Sequence, residues 1–216
     1  MIELIDFTAP GTVAVRNKLG ITEPAALARA TADFPAFRLA ELQTAPIRGA
    51  FDSVHLQGIH NHVFQDLYEW AGELRDIDAG NIPASHLEKA LNSVFDRLGR
   101  ENHLKGYSPD EWARSASAYV YDLGLIQPFV AGNGIALREF SAELARKNGL
   151  NLQWDATPDI VASDPISQLN QAEQSANIRR MVMLAMDTDP GTQRPSRGNV
   201  FEPAMERHLL FENPHL

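Results

Sequence analysis

The chain has 216 residues, 44% of them hydrophobic, enough to bury the core of one domain with appendages. Against 28 acidic residues stand 19 basic ones, and the net charge of -9, with no run of Lys or Arg to offset it, argues against nucleic-acid and anionic-membrane partners. The absence of cysteine excludes a disulfide framework and any thiolate metal site.

The N-terminal MIELIDFTAPGTV has neither a basic n-region nor an apolar h-region, and no stretch reaches the ~20 apolar residues of a membrane span. A soluble, cytoplasmic bacterial protein is the expectation, and export by a specialised secretion system stays compatible with it. Helical spacing then dominates the chain. EPAALARATADFPAFRLAELQ, FDSVHLQGIHNHVFQDLYEWAGEL, SHLEKALNSVFDRLGREN, SPDEWARSASAYVYDLGLI, ALREFSAELARKNG and PISQLNQAEQSANIRRMVMLAM each place apolar residues three or four apart. Ser108 followed by Pro109, Asp110 and Glu111 predicts a helix start, and Gly149 after Arg146-Lys147-Asn148 predicts a stop. Between the second and third helical runs, LRDIDAGNIP over 74–83 alternates around an Ala-Gly-Asn turn, which predicts a short, exposed β-hairpin flap. Beyond Met186 the Pro-, Gly- and Arg-containing DTDPGTQRPSRGN reads as a linker to a final amphipathic piece, FEPAMERHLLF. The expected class is all-α, a helical bundle with one small flap.

Residues 126–140, IQPFVAGNGIALREF, place two glycines around an asparagine between two helical runs. The helix after the loop is expected to begin at Ile135 or Ala136. Gly132 and Gly134 admit dihedrals closed to other residues, and backbone amides at a helix start lie at the positive end of its dipole, a setting for a phosphate. A plain helix-to-helix turn, its glycines relieving sterics and binding nothing, accounts for the same fragment.

The stretch QPFVAGNGIALR resembles the signature of the Fic (Fic/Doc) family, which reads His-Pro-Phe, two residues of which the second is acidic, Gly-Asn-Gly-Arg, two residues and Arg. PGTVAVRNKLGI and PIRGAFDSVHLQGIHNHVFQDLYEWAGELRDID also resemble what precedes that signature in the family. The resemblance implies a Fic domain over 46–186, with an N-terminal arm and helix over 1–45 and a linker and short helix over 187–216. It implies transfer of AMP from ATP to a protein hydroxyl with magnesium. In that chemistry a histidine takes the hydroxyl proton, an acidic residue holds the metal, the Gly-Asn-Gly loop cradles phosphates and two arginines bind the phosphate tail.

Three positions depart from the pattern. Gln127 stands at the histidine, Ala131 at the acidic residue and Ile135 at the first arginine. An amide has no pKa with which to act as a base, and neither a methyl nor a butyl group ligates magnesium or phosphate. Gly132, Asn133, Gly134 and Arg138 remain as phosphate-binding candidates, and the flap residues Arg75, Asp76, Ile77 and Asp78 as the segment that registers an extended target by strand pairing. The expectation is a degenerate Fic-domain protein deficient in AMP transfer, keeping an anion- or nucleotide-binding loop and a binding or regulatory role. ATP or another nucleotide is the expected ligand, with no magnesium held by the motif and no dedicated metal site. The alternative is a transferase of AMP or another phosphate-containing group that works without the motif histidine.

His55, His60 and His62 invite a metal hypothesis, but on a helix they do not share one face, and no acidic residue completes a ligand spacing. Phe64, Tyr68 and Trp70 read as core. The expected partners are a protein target or a small antitoxin-like regulator whose glutamate would pair with Arg138. No inhibitory motif is evident in the chain itself: Phe211-Glu212-Asn213 has His208, not Ser or Thr, four residues before the glutamate.

Overall fold

The computed structural model describes residues 15–78, 82–152 and 154. Among these lie five α-helices, α1 (Pro24–Thr44), α2 (Ser53–Phe64), α3 (Leu87–Arg100), α4 (Pro109–Ile126) and α5 (Asn133–Lys147), with short 3-10 turns at Ala84–His86 and Asn102–Leu104. The all-α expectation holds. The helices expected near 165–186 and at the C-terminus lie outside the described residues, and no helix within them is long and apolar enough to cross a membrane.

Local sequence explains most boundaries. At α4, the Ser108 side chain accepts from the Glu111 N–H while the Glu111 carboxylate accepts from the Ser108 N–H, and Pro109 opens the helix. Asp52 caps α2 by accepting from the His55 N–H. On α3, Leu87, Leu91, Val94, Phe95 and Leu98 form one buried stripe.

α2 sits centrally, packed on α1 and α5 and touching α3, while α4 packs on α3 and α5. Its Ile59, His60, Val63 and Phe64 are fully buried. The apolar rhythm over 51–74 predicts one long helix, but α2 ends at Phe64. Beyond it the chain turns so that Leu67 and Tyr68 enter the core and Tyr68 stacks on Trp70, ring centroids 4.2 Å apart. Periodicity continued through the turn because core contacts, not a helix, take up those side chains.

Candidate functional site

Four structures converge at one end of the bundle: the C-terminus of α4, the N-terminus of α5, the buried face of α2 and the root of the flap. α4 closes at Gln127, as expected, with left-handed dihedrals of φ 46° and ψ 70°. A residue with a Cβ pays about 1 kcal/mol for that conformation, so the surroundings hold the chain in it. Here the Gln127 carbonyl accepts from Arg75 Nε at 2.7 Å, and its N–H reaches the Leu123 carbonyl at 3.2 Å. The side-chain Oε1 of Gln127 is buried with no hydrogen-bond partner among the described residues.

The next turn is closed by Asn133, whose Oδ1 accepts from the Phe129 N–H at 2.9 Å and whose Nδ2 donates to the Phe129 carbonyl at 2.8 Å. Both ends of this side chain are therefore engaged within the loop, and Asn133 shapes the cradle through its side chain. Gly132 caps α5 with φ 77°, and a Cβ there would meet the Phe64 ring at 2.4 Å. Only glycine fits so close to α2 in that conformation. The helix begins at Asn133, two residues before the expected Ile135, because the Asn133 clasp and left-handed Gly132 already set the first turn. No side chain caps it. In a helix whose first internal bond runs from the Ala136 N–H to Gly132 O, the amides of Asn133, Gly134 and Ile135 have no intrahelical acceptor and point out of the N-terminus.

Ala131 is buried and Ile135 half-buried against the core. Arg138 lies one turn into α5 with its guanidinium carbon 5.7 Å from the Trp154 ring centroid, while Trp154 Nε1 donates to the Arg138 carbonyl.

Beneath the loop lies His60. Its Nδ1 accepts from the Gly72 N–H at 2.8 Å, so the proton sits on Nε2, which donates to the Ala131 carbonyl at 2.9 Å. The imidazole stacks on Phe129 at 3.8 Å. Burial lowers its pKa from 6.5 to about 4, against the opposing pull of the Ala131 carbonyl, so it is neutral at physiological pH.

The flap root is organised by Arg75, which is 3% exposed. Its guanidinium donates to the carbonyls of Gln127, Ile77 (2.6 Å), Ile82 (2.5 Å) and Ile126 (3.1 Å), and its N–H donates to Pro128 O at 2.9 Å. Desolvation lowers its pKa, opposed by Asp78. Arg75 thus anchors the flap to the loop from inside, contrary to its expected place in the docking segment, and leaves exposed Asp76 and Asp78, with half-buried Ile77 between them, as the outward part of that segment. Asp78 Oδ1 accepts from the Ala84 N–H, capping the 3-10 turn. No strand ladder forms among the described flap residues, only an isolated bridge residue at Ile82, and the two limbs are tied by the Arg75 side chain instead; the turn at 79–81 lies outside the described residues.

The three histidines of α2 face different partners. His55 Nε2 meets Glu143 Oε2 at 3.0 Å in the α2–α5 interface, His60 serves the loop, and His62 lies 3.1 Å from Glu41. Among the described residues no group of three His, Asp or Glu could hold a metal ion.

The fold is a helical bundle that presents a glycine-shaped helix N-terminus beside a tethered flap, and comparison with known proteins identifies its family. A model of the Fic/DOC family matches residues 50–145. The protein adenylyltransferase VbhT of Bartonella schoenbuchensis is 38% identical over 154 residues, which cover 69% of this chain but 32% of that protein. The probable protein adenylyltransferase Fic of Salmonella typhimurium is 32% identical over 169 residues, 76% of this chain and 81% of that protein. Among solved structures, the N-terminal Fic domain of a Bartonella effector protein from Bartonella sp. AR 15-3 superposes with a TM-score of 0.76 at 21% identity, over 87% of this chain and 93% of that one. The chain belongs to the Fic/DOC family.

The sequence marks the loop, Arg138 and the flap as candidates, and the structure places the loop beside the flap root with Arg138 one turn into α5. Sequence reading assigns Arg75 to the outward docking segment, which the structure corrects because that side chain is 3% exposed and bonded inward to backbone carbonyls, and it weighs His60 only as a metal ligand, whereas its ring bonds the backbone of Gly72 and Ala131. Their signal was present as a histidine and an arginine at positions that helical and alternating patterns assign to the interior, where each polar group requires a partner.

Proposed function

We infer that this protein binds the phosphates of a nucleotide at the 127–134 loop and is deficient in AMP transfer, acting by binding rather than by catalysis. The observation that carries this reading is the contrast within one loop. Every device that shapes the cradle is in place, namely the Asn133 clasp, left-handed Gly132 and the outward amides of α5, with Arg138 one turn on. The side chains that would do chemistry are an amide at Gln127, a buried methyl at Ala131 and an aliphatic group at Ile135. The nucleotide assignment draws support from proteins of the same fold: an N-terminal Fic domain from Bartonella quintana has been solved with bound ADP, and the effector protein BepC of Bartonella tribocorum with bound AMPPNP. ATP is accordingly the first ligand to test.

The donor set does not suit magnesium. A hard divalent cation takes oxygen ligands in octahedral order, and the motif position that would offer a carboxylate offers Ala131, while the Asn133 side chain is engaged by Phe129. The residues present suit a phosphate held by backbone dipoles and one guanidinium. A protein target or a small regulatory partner would approach over the outward flap limb, Asp76 to Asp78.

A second reading rests on Gln127 Oε1, an acceptor buried without a partner among the described residues, which could orient a target hydroxyl without removing its proton. It predicts slow transfer that depends on Gln127. Incubation of the protein with ATP labelled on the α-phosphate, with and without bacterial lysate, separates the two. The binding reading expects labelling at the level of a no-protein control. Labelling above that level, and its loss in Gln127→Ala, would establish the transferase reading.

A further inference from the structure

The loop's shape depends on a residue outside the motif. The Ala131 carbonyl is turned into the protein, where it meets a single described donor, His60 Nε2 at 2.9 Å. An inward carbonyl without a partner keeps its full desolvation cost, and the peptide would rotate to find water. That rotation would disturb the Ala131–Gly132 peptide plane, and with it the left-handed Gly132 that starts α5. The same imidazole accepts from Gly72 at 2.8 Å, and Gly72, with φ +85°, opens the segment that runs to Arg75 and the flap. One neutral ring therefore ties two segments 59 residues apart in sequence, as its bonds to residues 72 and 131 show (131 − 72 = 59). Stacking on Phe129 at 3.8 Å fixes the ring plane, so both nitrogens are aimed.

We propose that His60 is the positioning residue of the phosphate loop, holding the loop and the flap root in the register needed for anion binding. The proposal rests on the nucleotide-binding reading of the loop for its functional meaning, but its structural content can be tested separately. The imidazole must be in one tautomer, Nε2–H, because Nδ1 is an acceptor and Nε2 a donor.

Two substitutions divide the ring's roles. Asparagine places an oxygen near the Nδ1 position, so His60→Asn keeps the acceptor for Gly72 and leaves the Ala131 carbonyl without a donor. Glutamine reaches the Nε2 position, so His60→Gln keeps that donor and loses the acceptor. Both lose the stacked ring and one hydrogen bond, so their losses of thermal stability should be similar. If His60 positions the loop, His60→Asn speeds hydrogen exchange at the 130–135 amides and weakens inorganic phosphate binding, each by about tenfold relative to His60→Gln. Binding is read from phosphate-induced shifts of the Gly132 and Gly134 amides by NMR in the full chain. Equal exchange and equal affinity in the two variants would make His60 a core residue only and overturn the proposal. Nitrogen-15 shifts of the wild-type imidazole supply a measurement that needs no variant: the Nε2–H tautomer is expected at neutral pH, and the Nδ1–H tautomer or a rapid average of both would also overturn it. Should the wild type show no phosphate-induced shift at all, the nucleotide reading fails, while the exchange pattern and the tautomer still decide whether His60 holds the loop.

Discussion

Replacing Gln127 by His, Ala131 by Asp and Ile135 by Arg in one chain is expected to raise AMP labelling, of the protein itself or of bacterial lysate, from background by at least about 10². The three changes supply a base with a pKa near the working pH, a carboxylate for magnesium and a second phosphate clamp, in a loop whose backbone is already shaped by Asn133 and Gly132. Groups that act as a unit give little singly, so each single variant should stay near background. Ala131 makes the demanding substitution, because it is 5% exposed and an aspartate there must turn toward the loop mouth to reach a metal. If the folded triple variant is silent, the departure from family chemistry extends beyond these three side chains to the flap or the target surface. A strongly active single variant would show that the remaining positions had not lost their function.

Acid should destabilise the fold through His60. Its folded pKa is lowered to about 4 against 6.5 when unfolded, chiefly by burial. Above 6.5 neither state holds the proton and the contribution to stability is whole. As the pH falls from 6.5 toward 4 the unfolded chain takes up a proton that the folded one refuses, so stability declines with a slope that ends once folded His60 protonates. The shift corresponds to about 3 kcal/mol. His60→Phe keeps a ring against Phe129 but cannot titrate. In urea melts the wild type should exceed it clearly at pH 7, with the gap narrowing by about 3 kcal/mol by pH 4. A gap that stays constant over that range would mean His60 is not buried neutral.

What the sequence discloses and what it hides divide along a physical line. α4 was legible at both ends because Ser108, Pro109 and Glu111 satisfy local backbone groups, and the break at Gln127 precedes a glycine loop. The start of α5 was placed late because glycine at 134 argues for loop, whereas Asn133, bonded twice to Phe129, had already set the helix. The sequence predicts too long an α2 because apolar residues beyond Phe64 keep a helical rhythm while packing in a turn. The flap's alternation was real as a pattern, yet its described limbs are joined by the Arg75 guanidinium rather than by a ladder. The anchoring roles of His60 and Arg75 are not legible in the sequence because their partners are backbone groups far along the chain, which no local motif records.

Calorimetric titration of the protein with ATP, run once with magnesium and once with a chelator, addresses the central claim that this loop keeps the phosphate cradle without the metal chemistry. Weak binding is expected, with an affinity changed by no more than about twofold between the two conditions, since backbone amides and Arg138 recognise phosphate directly and Ala131 offers magnesium no ligand. Tight binding that disappears with the chelator would contradict it.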